Sequence, residues 1–330
     1  MSDPLICEVT RGTMVESRHR VHAMICDASG PVKTWGDPDL MFYPRSAIKF
    51  MQALPLVESG AADANRVSVA ELALASASHS GTVTHVDAVA AWLQRIGLGP
   101  DNLGCGAHLP YHTPPANDLI RADKAPTRLN NNCSGKHTGF LTTAQHLGES
   151  TEGYMDPDHP VQRRLYDIMA TFGGQDLADT GRGRDGCGIP VYGMTLTALA
   201  RAAQKMADPA GLGEERGAAA KRVLEAVMAE PFMVGGPDRF DTDVMTVLAG
   251  KAATKGGAEG VHIAILPEKG LGIALKAEDG EKRAADVAMG WLLGETGVIG
   301  RDQSRALASH LQPTVHNAAG DAVGTIRMKA

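Results

Sequence analysis

Tyr43-Pro44-Arg45-Ser46-Ala47-Ile48-Lys49 places a hydroxyl and an amine three residues apart, where a β-like stretch gives way to an apolar helical one. Side chains three apart share a helix face, so Ser46 and Lys49 can meet over one turn. A serine hydroxyl is a poor nucleophile until a base takes its proton. A lysine serves as that base only when burial or neighbouring cations pull its pKa toward neutrality. Phe42, Ile48, Phe50 and Arg45 supply such a setting. Two more polar segments follow in chain order: Ser78-His79-Ser80-Gly81, after a helical pattern, and Thr254-Lys255-Gly256-Gly257, before a β-like run. Together these are the parts of an acyl-transfer centre. Simpler structural readings coexist, with Ser46 capping a helix beside a solvated Lys49, Ser78 ending a helix, and Lys255 on a surface turn.

A second constellation is sulfur-based. Asn130-Asn131-Asn132-Cys133-Ser134-Gly135-Lys136-His137 opens a helix after three turn-forming asparagines, and Arg184-Asp185-Gly186-Cys187-Gly188-Ile189-Pro190 offers another thiol in a glycine-rich turn. Two thiolates, a nitrogen and a water satisfy a tetrahedral zinc. Lys136 must lose its proton to ligate, and His137 is the conventional alternative nitrogen. Buried structural thiols are the competing reading. Cys7, Cys26 and Cys105 have no comparable neighbours and read as core or loop residues.

The elements that must hold these groups follow from periodicity. Short β-like runs at 5–10, 20–26 and 32–35 precede helical patterns at 46–59, 69–77, 84–96, 135–147, 161–172, 196–207 and 217–229. Pro55 kinks or ends the first of these helices. Residues 97–132 read as a long irregular excursion. A hairpin at 260–275, a helix at 282–293 and a β-like run at 324–328 close the chain. The expected architecture is α/β of the α+β kind: an antiparallel sheet from N- and C-terminal strands with an embedded helical region over roughly residues 46–250. No linker or repeat divides the chain, so residues 1–330 are expected to form a single domain.

Composition narrows the function. The 330 residues are 43% apolar and 21% charged with a net charge of −6, which excludes a disordered chain and leaves no basic footprint for nucleic acid. No apolar run approaches the roughly 20 residues a bilayer requires, and residues 1–12 carry Asp3, Glu8 and Arg11 where a signal peptide is apolar, so a cytoplasmic location is expected. Five cysteines spread from Cys7 to Cys187 do not form a disulfide framework.

The chain order of the serine, second loop and lysine is similar to that of penicillin-recognising acyltransferases. Over nearly its whole length the sequence resembles the rhizobial type II, or class 3, L-asparaginases. The resemblance is carried by 16–22, Pro44-Arg45-Ser46 to Lys49, Ala77-Ser78-His79-Ser80-Gly81, Asn132 to His137, Asp185 to Pro190 and Arg239-Phe240-Asp241-Thr242. It implies a β-lactamase/transpeptidase-like fold, similar to serine β-lactamases and glutaminases, a homodimer, and hydrolysis of L-asparagine to L-aspartate and ammonia. It also implies the serine–lysine pairs Ser46 with Lys49 and Ser78 with Lys255, and a zinc ion (Zn2+) at Cys133, Lys136 and Cys187. Arg45, His137 and Asp185 would assist substrate binding. Ser80 and the histidine-rich 108–112 stretch are read as local variations affecting substrate access or preference. Two readings compete: a related amide hydrolase acting on glutamine or a β-lactam, and a non-catalytic zinc-binding amide sensor. Two serine–lysine pairs argue against the sensor, because binding alone gives no reason to assemble them.

Overall fold

The computed structural model describes residues 2–329. Twelve strands run in chain order: β1 (Leu5–Arg11), β2 (Met14–Asp27), β3 (Gly30–Trp35), β4 (Met41–Phe42), β5 (Arg182–Arg184), β6 (Pro190–Tyr192), β7 (Met194–Thr195), β8 (Ala253–Gly256), β9 (Val261–Leu266), β10 (Leu271–Ala277), β11 (Thr314–His316) and β12 (Ala322–Met328). Eight build one antiparallel sheet in the order β11-β12-β1-β2-β10-β9-β8, with β3 paired to β2. The long β2 lends its first half to β1 and its second half to β3, while β10 takes its other edge. The sheet expected from both chain ends is thus present.

Register decides which side chains face which layer, because successive strand residues point to opposite faces. Met24, Ala274 and Ile263 lie side by side across three strands and join the core of the helical region. Their neighbours Ile25, Ile273 and Ala264 form the opposite row. That row packs in a second core with Ala284, Val287 and Leu292 of the helix Lys282–Glu295. All six residues of β9 are buried, as expected of a strand covered on both faces. On the helical side, Leu196–Ala207 lies so close to β10 that a Cβ on Gly272 would stand 2.1 Å from the Gln204 backbone nitrogen.

Most of the expected helices are present within a few residues. The 46–59 segment is more broken than its periodicity predicts: a 3-10 turn at Arg45–Ile48, then short helices at Lys49–Gln52 and Leu54–Glu58. Pro55 sits in the first turn of the last of these, where its missing N–H costs nothing. The 97–132 stretch, expected to be irregular, contains the helix Thr113–Arg121, started by Pro114 and Pro115. The helix Phe240–Leu248 and strand β8 had no periodic signal in the sequence analysis. Among the described residues, no helix is long and apolar enough to cross a membrane.

Candidate active site

Ser46 lies in the 3-10 turn that links β4 to the helical region. Arg45, immediately before it, holds a left-handed φ of 51°, a conformation rarely adopted without glycine and often found at functional turns. Ser78 follows the helix Val69–Ala75 and is tied down by its own N–H, which donates to Val234 O at 3.0 Å. Lys255 sits on β8 opposite Ile263, so it shares the face that looks into the helical region. Ser46 and Ser78 line the same cleft of about 290 Å³, together with Tyr111, Asn132, Arg239 and Asp241. The strand edge closes tightly on the serine turn, since a Cβ on Gly257 would lie 3.0 Å from Pro44 O and 3.4 Å from the Ser46 nitrogen.

The lysines meet at Ser78. Lys49 Nζ donates to Ser78 Oγ at 2.9 Å, to Ala77 O at 2.7 Å and to Cys133 Sγ at 3.0 Å. Lys255 Nζ lies 2.9 Å from Ser78 Oγ and donates to Gly256 O at 2.7 Å. Ser46 Oγ is not among the hydrogen-bond partners of Lys49, so the turn geometry inferred from the i, i+3 spacing does not yield a direct bond. The amine instead reaches partners 29 and 84 residues away in the chain. Lys49 and Lys255 are both fully buried, which removes the solvated-lysine and surface-turn readings.

Burial pulls the Lys255 amine down to about 7; the Asp241 carboxylate opposes this, while the Lys49 and Arg239 cations add to it. Asp241 belongs to the helix Phe240–Leu248 and accepts hydrogen bonds from the Gly256 N–H at 3.0 Å and His262 Nε2 at 2.8 Å. Burial alone would raise its pKa, but His262, Lys255 and the Gly256 N–H hold it far below the usual carboxylate range.

The sulfur constellation adjoins this network. Lys136 Nζ stands 3.2 Å from Cys187 Sγ, and Cys133, Lys136 and Cys187 are all buried. A hydrogen bond from Cys133 lowers the Cys187 thiol, with Lys136 adding to the effect, while Cys133 itself is pushed up. The pair therefore carries one thiolate more readily than two. Nearby thiolates and Asp185 raise Lys136 against the effect of burial. Two sulfurs and an amine from separate segments thus converge, and the 3.2 Å contact is close to the edge of about 3.6 Å expected for a tetrahedron with zinc–sulfur and zinc–nitrogen bonds of about 2.3 and 2.1 Å. The donor set of two thiols and an amine fits zinc in kind. Among the described residues no group of three or more His, Cys, Asp or Glu could hold a metal, so any ion here depends on the lysine.

The three assisting residues are placed differently from one another. Arg45 Nε donates to Asp185 Oδ1 at 2.6 Å, so these two satisfy each other. His137 is fully buried, with Nδ1 2.6 Å from the Tyr154 hydroxyl and Nε2 without a partner. Burial and Lys136 lower it to about 3, and it is therefore neutral. None of the three lines the cleft shared by the serines. The polar cleft residues that received no individual role from the sequence are Lys282, Asp286, Tyr111, Asn132, Arg239 and Asp241. The last two sit in a segment that already carried the family resemblance, and Asn132 ends the asparagine run.

The cleft lined by Ser46 and Ser78 lies where the sheet edge meets the helical region, with Lys49 and Lys255 buried behind Ser78. The chain belongs to the L-asparaginase II family, which matches residues 7–328. No curated protein sequence matches it. Similar solved structures include Mglu in its native form, at 18% identity and TM-score 0.47, covering 86% of this chain and 66% of that one. A beta-lactamase from Sphaerobacter thermophilus is similar at 18% identity and TM-score 0.42, with 86% and 94% covered. A class C beta-lactamase in complex with cefoxitin is similar at 12% identity and TM-score 0.43, with 84% and 93% covered.

Proposed function

We propose that the protein hydrolyses L-asparagine to L-aspartate and ammonia by acyl transfer to Ser46. The observation that carries this reading is Ser78 Oγ held at 2.9 Å by two buried lysine amines in the cleft that Ser46 also lines. Lys49 Nζ reaches Ser78, Ala77 and Cys133, and Lys255, lowered to about 7, is available as a neutral base. In the proposed sequence Ser46 Oγ forms a bond to the side-chain amide carbon. Its proton passes to Lys49 as Lys49 gives one to Ser78 and Ser78 gives one to Lys255. The Ser46 backbone N–H, at the start of the 3-10 turn and without a partner among the described residues, serves the oxyanion. Collapse breaks the C–N bond, and the proton returns along the same line to the leaving nitrogen, releasing ammonia. Water, deprotonated by the relay, then attacks the ester carbonyl, aspartate leaves, and Ser46 regains its proton.

Zinc belongs to the same proposal, held by Cys133, Lys136 and Cys187. When bound it would supply a fixed positive charge beside the relay and an open position for a polar group. A homodimer is the proposed assembly, and light scattering on the purified protein measures its mass.

The deciding experiment is ammonia release from L-asparagine by the purified protein, repeated after metal removal and after zinc is restored, with L-glutamine and a chromogenic β-lactam alongside. Fastest turnover of L-asparagine supports the reading. A higher rate on either comparator reassigns the substrate. Tight amide binding with no ammonia under any condition replaces the enzyme with a sensor.

A further inference from the structure

Every other cation close to the reacting serines is already engaged. Lys49 and Lys255 bond Ser78, Lys282 pairs with Asp286, and Arg45 pairs with Asp185. Arg239 lines the same cleft as Ser46 and Ser78, yet among the described residues its guanidinium has neither an ion-pair nor a hydrogen-bond partner. A half-buried guanidinium facing a cleft and left without an acceptor is matched by a ligand carboxylate, which its planar fork binds in bidentate fashion.

The backbone around Arg239 is built for placement. Val234 O accepts the Ser78 N–H at 3.0 Å, and Gly235 O accepts the Ser80 hydroxyl at 2.7 Å, so the strap leading to Arg239 is fastened to the Ser78 loop. A Cβ on Gly236 would stand 2.8 Å from Ser80 Oγ, so side chains are excluded there. Asp238 adopts a left-handed φ of 57°, turning the chain so that Arg239 begins the helix Phe240–Leu248. Ser80, through its hydroxyl, ties the Ser78 loop to this strap.

We propose that Arg239 is the carboxylate-recognition residue of the cleft, so that the substrate is a small amide bearing a free carboxylate beside the amide arm. The inference rests on the amide-hydrolase reading and adds the group that selects among amides. It predicts that L-asparagine is favoured over 3-aminopropanamide, the same molecule without its carboxylate, and that this preference resides in Arg239.

The test uses the full-length protein and Arg239→Gln, with Arg239→Lys as the charge-keeping variant and a thermal melt to confirm folding. For L-asparagine, Arg239→Gln should lower kcat/KM by roughly 10- to 100-fold, mostly through KM, with partial recovery in Arg239→Lys. The inhibition constant of 3-aminopropanamide should stay within about twofold. A folded Arg239→Gln protein that keeps its KM for L-asparagine overturns the proposal, as does an equal loss for both ligands. Calorimetry with L-aspartate in the Ser46→Ala background gives a second readout independent of turnover, and binding there should vanish with Arg239→Gln. If the wild type releases no ammonia, the hydrolase reading fails by itself. Retained L-aspartate binding in Arg239→Gln then refutes the carboxylate assignment separately.

Discussion

The Lys49 amine stands 3.0 Å from the Cys133 thiol, so the serine–lysine and sulfur constellations form one hydrogen-bonded network. From Cys187 the contacts run through Cys133 to Lys49, Ser78 and Lys255, crossing from a loop to the sheet. Any change in charge at the sulfurs is therefore felt one contact away from the proposed proton relay.

Metal loss should be readable at both ends of that network. Cys187→Ser and Cys133→Ser should each reduce bound zinc, measured by elemental analysis of dialysed protein, and lower thermal stability. Zinc added to the wild type should slow alkylation of both thiols. Unchanged zinc stoichiometry in both variants would exclude these ligands.

The two serines should separate stability from turnover. Among the described residues Ser46 Oγ has no hydrogen-bond partner, so Ser46→Ala should shift stability by no more than about 0.5 kcal/mol, while loss of the proposed nucleophile abolishes ammonia release. Ser78→Ala deprives two buried amines of a shared partner, costing about 1–3 kcal/mol. It should also slow turnover by roughly 10²- to 10⁴-fold. Denaturant titration and ammonia assays distinguish the two cases, and an active Ser46→Ala protein would remove the nucleophile assignment.

Lys255 gives a pH signature. With the fold lowering it from 10.5 to about 7, chiefly by burial, its neutral form grows as pH rises, so kcat/KM should climb through pH 7 and then level off. Between about 7 and 10.5 the unfolded chain holds this proton and the native chain does not, so stability from this group rises with pH across that window. Asp241→Asn removes the carboxylate that raises Lys255, and the acidic limb should move to lower pH. A limb that stays in place would exclude Lys255 as the titrating base.

Gly272→Ala tests the layer contact beneath the site. The added methyl would meet the Gln204 backbone nitrogen at 2.1 Å, and backbone cannot yield as a flexible side chain can. A loss of about 1–3 kcal/mol or more is expected by chemical denaturation.

The legibility of the sequence follows the range of the interactions. Strands β1, β2, β9 and β10 and the helices Leu196–Ala207 and Lys282–Glu295 announce themselves because each alternates or repeats within a few residues. Strand β8 does not, since four residues, Ala253–Gly256, acquire their direction only by pairing with β9. The helix Thr113–Arg121 buries no residue and begins with Pro114 and Pro115, inside a stretch whose Gly, Pro, Asn and His content reads as loop. At the site, residue types were legible and partners were not. The spacing of Ser46 and Lys49 implied contact across one turn, but the Lys49 amine bonds Ser78 and Cys133, partners that lie far away in the chain. Arg239 was marked only by the resemblance of Arg239-Phe240-Asp241-Thr242 and received no role, because what distinguishes it is the lack of a charged partner among the described residues.

The pairing of Cys7 with Met328 in β1 and β12 has a kinetic consequence. Strand β1 pairs with β2 close by in the chain, but its outer edge waits for β12, about 320 residues further along. Such wide sequence separation between partners predicts slow folding, with an exposed strand edge available for wrong pairing until β12 docks.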